Sequence, residues 1–383
     1  MRLFALAIVA LISGTVPAAV QTPELARGTV VPRVSCAEKP EQTYALYLPA
    51  NYSPDRAWSL VLAFHPAADG PRMVETFRAG AEQLGYIVAA SNNARNGPHE
   101  ISAAAAQAMG ADVSRRFAID ARRVYVAGFS GGGRVALGLA LANPSIAGVI
   151  ASSAGFPDSQ PRAELPFAVY STAGVEDFNY LEMRLLDREL RSPHFLSGFA
   201  GGHVLPPEDV AIEALEWLEI QAIRSGVREN DVPLATRILE RRRARLAASS
   251  DPVETVYLLD ALVRDFTTVL DVSAEARQLE AMSRQPDVKK AMARAREMDN
   301  AEARMLNDML ALAAQLTEPD RRVRALSTLR ARFAALSRKA SEPESAEGRQ
   351  ARRVLRSLAA AARAGQPDRE YLAMLEAHPV PAR

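Results

Sequence analysis

The segment Gly128-Phe129-Ser130-Gly131-Gly132 restricts what this chain can fold into more than any other. It joins the apolar run Val124–Ala127 to a helix-patterned run, Arg134–Ala142. A strand that turns this sharply into a helix leaves no room for side chains beside the serine. Small residues therefore flank it, and the hydroxyl is pushed clear of the sheet. The same five residues also suit an ordinary glycine-rich turn, but the strand before and the helix after favour a serine displayed for chemistry.

Two partners for that serine lie downstream. Phe167–Ser171 reads as a buried strand and runs into Ala173-Gly174-Val175-Glu176-Asp177, a loop ending in two carboxylates. His194–Phe199 reads as another strand, followed by Ala200-Gly201-Gly202-His203. Asp177 and His203 thus both follow the C-terminal ends of strands, the edge at which an open parallel sheet gathers its functional groups. The order Ser, then Asp or Glu, then His is that of an α/β-hydrolase triad. His65 also follows a strand but lies upstream of the serine. Asp177 is preferred to Glu176 as the acid because it stands three residues after Gly174.

The surrounding pattern agrees. From about 28 to 226, short apolar runs alternate with helix-spaced ones. Strands are expected at Tyr44–Leu48, Leu60–Phe64, Tyr86–Ala90, Val124–Ala127, Ile146–Ser152, Phe167–Ser171 and His194–Phe199. Helices are expected at Met73–Leu84, Ile101–Phe117, Arg134–Ala142, Tyr180–Leu190 and from Pro206 to Ile223. Alternating units with nearly continuous apolar strands predict an α/β class: a mostly parallel sheet with helices on both faces.

After Gly226 the strand signals stop. The rest is rich in Ala, Leu, Arg and Glu, and is punctuated by helix starts: Asp251-Pro252-Val253-Glu254, Pro286-Asp287, Pro319-Asp320, Pro343-Glu344 and Pro367-Asp368. Five or six helices are expected, forming an all-helical region over 227–383 that either packs on the first part or binds a protein partner. Arg241-Arg242-Arg243 reads as a solvated helix face.

The 383 residues are too many for one ordinary domain. With 46 basic and 45 acidic residues the net charge is +1, which implies no nucleic-acid partner. Met1-Arg2, the apolar run Leu3–Ile12 and the small residues around Val16-Pro17-Ala18 form a signal-peptide pattern over 1–20. Export to a periplasmic or extracellular location is expected, with no stable membrane span after cleavage. Cys36 is the only cysteine, so no internal disulfide can form. No metal-ligand pattern such as His-Glu-x-x-His is present, so no metal site is expected.

An acyl transfer also needs donors for the developing oxyanion. The backbone N–H of Gly131 is one candidate. The second should come from the loop after Leu60–Phe64; Pro66 has no N–H, which leaves Ala67. The polar loop holding Asn92, Asn93 and Arg95 either contacts polar groups on the substrate or is a turn whose Asn side chains bond its own backbone.

Tyr44-Ala45-Leu46-Tyr47-Leu48-Pro49, the His65 loop, Arg123 through Gly132, and Gly201-Gly202-His203 with Pro206-Pro207 resemble the secreted esterase group of α/β-hydrolases. That group includes polyhydroxybutyrate depolymerase-like, feruloyl-esterase-like and dienelactone-hydrolase-like proteins. The likeness covers about 40–223. It implies an α/β-hydrolase fold and hydrolysis of a small or polymeric ester through Ser130, Asp177 and His203, without cofactor. Two departures stand out. His65-Pro66 replaces the group's usual His-Gly, and the helical region lies outside the group's core. A non-catalytic hydrolase-fold protein that binds a partner through its helices is the alternative reading. Only about a dozen residues separate the strands at Ile146–Ser152 and Phe167, which leaves no space for a large lid there.

Overall fold

The computed structural model describes residues 25–342 and 345–380. The signal-peptide pattern and the Pro343-Glu344 helix start lie outside them. Eight strands form one sheet in the order β1-β2-β4-β3-β5-β6-β7-β8. They are β1 (Val30–Ser35), β2 (Thr43–Tyr47), β3 (Trp58–Phe64), β4 (Tyr86–Ser91), β5 (Ile119–Phe129), β6 (Ile146–Ser152), β7 (Ala168–Gly174) and β8 (His194–Phe199). Strand β2 runs antiparallel to both β1 and β4, and every pairing from β4 to β8 is parallel. This is the α/β-hydrolase arrangement. The sequence pattern missed only β1, whose alternating exposure and Pro32 mark an edge strand.

Both faces are covered, as buried parallel strands require. In β5, Val126 packs toward one core with α2 (His99–Arg116), α3 (Gly131–Ala142) and α4 (Tyr180–Glu189). Its neighbours Tyr125, Ala127 and Phe129 pack toward the other, with α1 (Gly70–Leu84) and α5 (Glu208–Arg224). The period of two along the strand separates the cores.

Seven helices follow Gly226 among the described residues: α6 (Val232–Ala248), α7 (Pro252–Phe266), α8 (Ser273–Arg284), α9 (Pro286–Ala314), α10 (Pro319–Ala340), α11 (Ala346–Ala364) and α12 (Arg369–Ala377). Their starts follow the sequence. Asp251 accepts the N–H groups of Val253 and Glu254, and Asp368 accepts that of Glu370. Prolines open α9 and α10. None of the described helices is long and apolar enough to cross a membrane.

The change of texture at Gly226 marks the end of strands but not of the first core. Leu258 and Ala261 of α7 belong to the core beneath α5. A separate core begins with α9 and joins α10, α11 and α12 around Met309, Phe333 and Leu355.

The basic triplet is a solvated face only at Arg241 and Arg243, which are exposed even though each meets a carboxylate. Arg242 is buried and paired with Glu213, Arg241 reaches Glu216 at 3.1 Å, and Arg243 reaches Glu275 at 2.7 Å. These arginines bind α6 to α5 and α8, which helix periodicity alone does not reveal.

Candidate active site

Ser130 sits between β5 and α3 with φ 53° and ψ −123°, a left-handed conformation that costs a non-glycine residue on the order of 1–3 kcal/mol. The flanking glycines are required by contact. A Cβ on Gly128 would lie 2.0 Å from the Gly132 carbonyl oxygen, and one on Gly132 would lie 2.1 Å from that of Phe64. Two hydrogen bonds hold the turn, from Ser130 N–H to the Ser152 carbonyl on β6 and from Gly133 N–H back to the Ser130 carbonyl.

The loops after β7 and β8 meet this turn. Val175 N–H donates to the Phe199 carbonyl and Glu176 N–H to that of Gly201, so the acid loop and the histidine loop are tied together. His203 Nδ1 lies 2.9 and 3.0 Å from the two oxygens of Asp177, and Nε2 lies 2.9 Å from Ser130 Oγ. Because a carboxylate only accepts, the proton belongs on Nδ1, and Nε2 then accepts from the serine hydroxyl. Asp177 is fully buried and also accepts the Asn179 N–H at 2.8 Å. The imidazole lies between the rings of Phe129 and Phe178, with centroids 4.8 and 4.1 Å away. Sequence reasoning did not single out these two aromatics, although both adjoin triad residues.

Glu176, the competing acid, is directed elsewhere. Its oxygens accept from Arg352 Nε at 2.8 Å and Arg356 Nη1 at 2.7 Å. Burial works against its charge, and these arginine hydrogen bonds outweigh it, so the carboxyl is held below the usual range.

The remaining candidates divide. Gly131 opens α3, where a backbone N–H has no partner within the helix. Ala67 N–H donates to His65 Nδ1 at 3.2 Å, so an oxyanion would compete with that imidazole for it. Burial pushes the His65 pKa down, which keeps the ring neutral and able to accept. The amides of Asn92 and Asn93 serve the sheet edge. Asn92 donates to the Pro32 carbonyl, while Asn93 accepts from Thr43 N–H and donates to the Glu41 carbonyl. Arg95 is exposed, and its backbone pairs with Ala67. In the same loop, the side-chain oxygen of Asn96 occupies the space a Cβ on Gly131 would need. Asn96 is thus the loop residue that reaches the nucleophile turn, a contact with no sequence signal beyond membership of a polar loop.

The unforeseen part of the site is α11. Arg353 Nη1 donates to the Val175 carbonyl at 2.9 Å, Arg356 Nη1 to the Glu176 carbonyl at 2.9 Å, and Ser357 Oγ to the Phe178 carbonyl at 3.1 Å. Positions 353, 356 and 357 share one helix face, and the carbonyls they hold bracket Asp177. Arg353 is itself anchored by Glu302 of α9 at 2.9 Å. The i, i+3, i+4 spacing was legible in the sequence, but its target was not.

The sheet order and the strand–serine–helix turn define an α/β-hydrolase fold. No protein-family model matches the chain, and a search of curated proteins found no match. Solved structures resemble parts of it. A thermostable esterase is 19% identical with a TM-score of 0.37, over 49% of this chain and 61% of that one. A hyperthermophilic esterase from the archaeon Pyrobaculum calidifontis is 13% identical with a TM-score of 0.41, over 52% of this chain and 87% of that one. Est1E from Butyrivibrio proteoclasticus is 13% identical with a TM-score of 0.38, over 48% of this chain and 95% of that one. These likenesses are partial and distant, and the fold assignment rests on the sheet and the turn themselves.

Proposed function

We propose that the protein is a serine hydrolase that cleaves carboxylic esters through an acyl-enzyme. The observation that carries this reading is the unbroken hydrogen-bond chain from Ser130 Oγ through His203 to buried Asp177, presented on a strained turn. Serine is a weak nucleophile until a base takes its proton. Ser130 Oγ attacks the ester carbonyl carbon as its proton passes to His203 Nε2. Asp177 holds the Nδ1 tautomer and stabilises the imidazolium. The carbonyl oxygen becomes an oxyanion beside the Gly131 N–H, with Ala67 N–H the second candidate donor. As the intermediate collapses, the C–O bond to the alcohol breaks and His203 returns the proton to the leaving oxygen. Water, deprotonated by the same imidazole, then attacks the acyl-enzyme; the carboxylic acid leaves and Ser130 is restored. The 1–20 signal pattern assigns this chemistry to an exported protein, which N-terminal sequencing of the mature form checks.

A fluorophosphonate probe tests the reading. Wild-type protein should be labelled at Ser130, and Ser130→Ala should not be. A folded wild type that neither labels nor hydrolyses a short-chain aryl ester overturns the reading in favour of a binding protein.

A further inference from the structure

A cavity of about 460 Å³ opens beside the triad histidine. Phe178 and His203 form one end, and α11, α12 and the segment after α12 form the rest through Leu355, Ala359, Leu375 and Val380. The hydrolase half alone does not make it. Among the described residues its walls also carry Arg356, Arg363 and His378, and no carboxylate.

The charges around it do not cancel. Arg352 and Arg356 both pair with the single carboxylate of Glu176. Arg363 is exposed and has no hydrogen bond or ion pair among the described residues. It stands seven residues, or two helical turns, beyond Arg356, which is about 10 Å along α11. The space is therefore apolar along its sides and cationic at its outer end.

Its position relative to the triad fixes which part of a substrate enters. During ester cleavage the carbonyl oxygen faces the Gly131 N–H, and the leaving oxygen must meet His203 Nε2 to be protonated. The cavity borders His203, and none of Ser130, Gly131 and Ala67 lines it, so it lies on the side of the base and away from the nucleophile and the oxyanion donors.

We infer that this cavity binds the alcohol portion of the ester, and that the alcohol has an apolar body ending in an anionic group that pairs with Arg363. The inference rests on the hydrolase reading and adds the substrate class to it. A planar guanidinium at a solvent-facing rim is suited to a carboxylate, which it can hold through two parallel hydrogen bonds.

The test uses the acetate ester of para-hydroxyphenylpropanoate and the same ester with its carboxylate converted to the primary amide. The charge is remote from the reacting bond in both. Wild type should favour the acid, measured as the ratio of the two kcat/KM values. Arg363→Ala should lower that ratio by roughly tenfold or more, in line with loss of a charge-assisted hydrogen bond. Arg363→Glu should lower it further, and Arg363→Lys should restore part of it. In parallel, binding of para-hydroxyphenylpropanoate to Ser130→Ala protein is followed by calorimetry, with and without Arg363→Ala. That arm needs no turnover, so it decides the anion site even if the hydrolase reading fails. A ratio that Arg363→Ala leaves unchanged, or product binding indifferent to Arg363, overturns the inference. So does a preference for charge on the acyl side instead.

Discussion

The sheet and the helices after Gly226 are held by different forces. Strands β2, β3, β4, β6 and β7 and the second half of β5 are mostly apolar and buried, so hydrophobic burial, at about 25 cal/mol per Å², holds them. The junction between the halves adds charge and hydrogen bonds to an apolar seam in which Ile220 and Ile223 of α5 pack with Leu234, Ile238, Leu262 and Phe266. Arg242 and Arg245 meet Glu213, Trp217 donates to Asp265, Arg184 forks onto Asp299, and Tyr257 bridges Asp187 and β8. Apolar packing tolerates volume-conserving swaps, usually at a cost below about 1.5 kcal/mol. A buried ion pair does not, because removing one partner strands the other. The sheet therefore carries the candidate triad on an apolar frame, and buried ion pairs add intolerant contacts to the apolar seam where the helices join it.

This contrast can be broken at both ends. The largest effect is expected in the sheet half: Ser130→Ala or His203→Ala should remove nearly all esterase activity. Asp177→Asn should cost on the order of 10⁴ in kcat by spoiling the imidazole tautomer, with the fold intact by circular dichroism. If these variants keep substantial turnover, the chemistry lies elsewhere.

At the junction, Arg242→Ala should lower stability by about 3–5 kcal/mol in denaturant unfolding, because Glu213 is left buried with less compensation. It should leave the KM of the remaining folded protein near that of wild type. A loss below about 1 kcal/mol would show that the junction is as tolerant as the sheet.

Arg356→Ala probes where the halves meet the chemistry. Loosening the acid loop should lower kcat by up to about 10²-fold. In an Asp177→Asn background the same change should have little further effect, since residues acting as a unit are not additive. Additive losses would mean that α11 acts on something other than the acid.

The smallest effect belongs to Glu176. Its folded pKa is depressed, so its contribution to stability is fully present above the unfolded carboxylate pKa. That contribution is lost as pH falls through the folded value. The stability difference between wild type and Glu176→Gln should be about 2 kcal/mol at neutral pH, because Arg352 stays buried without its counter-charge, and should shrink below about pH 4. A difference that grows on acidification would contradict the assignment.

Legibility in the sequence follows the same divide. The strands showed because apolar runs and sharp turns are local signals; Ile146–Ser152 and His194–Phe199 match residue for residue. Ser130, Asp177 and His203 could be placed because each follows a strand end, and a parallel sheet brings those ends together. Helix starts showed through Pro and acidic caps. What stayed hidden was long-range: a run of arginines looks the same whether it faces water or a buried glutamate. Nothing near residue 353 says that its partner is the loop at 175. Asn92 and Asn93, for which substrate contact and backbone bonding were both open, show that polar loop residues next to a nucleophile can pin a neighbouring strand.

The grip of α11 on the acid loop also sets an order in time. A ribosome delivers Glu176 well before Arg356, 180 positions later, a gap of roughly 10 to 40 s at ordinary elongation rates. Through that interval the serine, aspartate and histidine exist on a chain that has no helix to fix its acid loop. The helix thus works as a latch: a chain clipped or stopped before α11 has all three residues but an acid loop that nothing fixes.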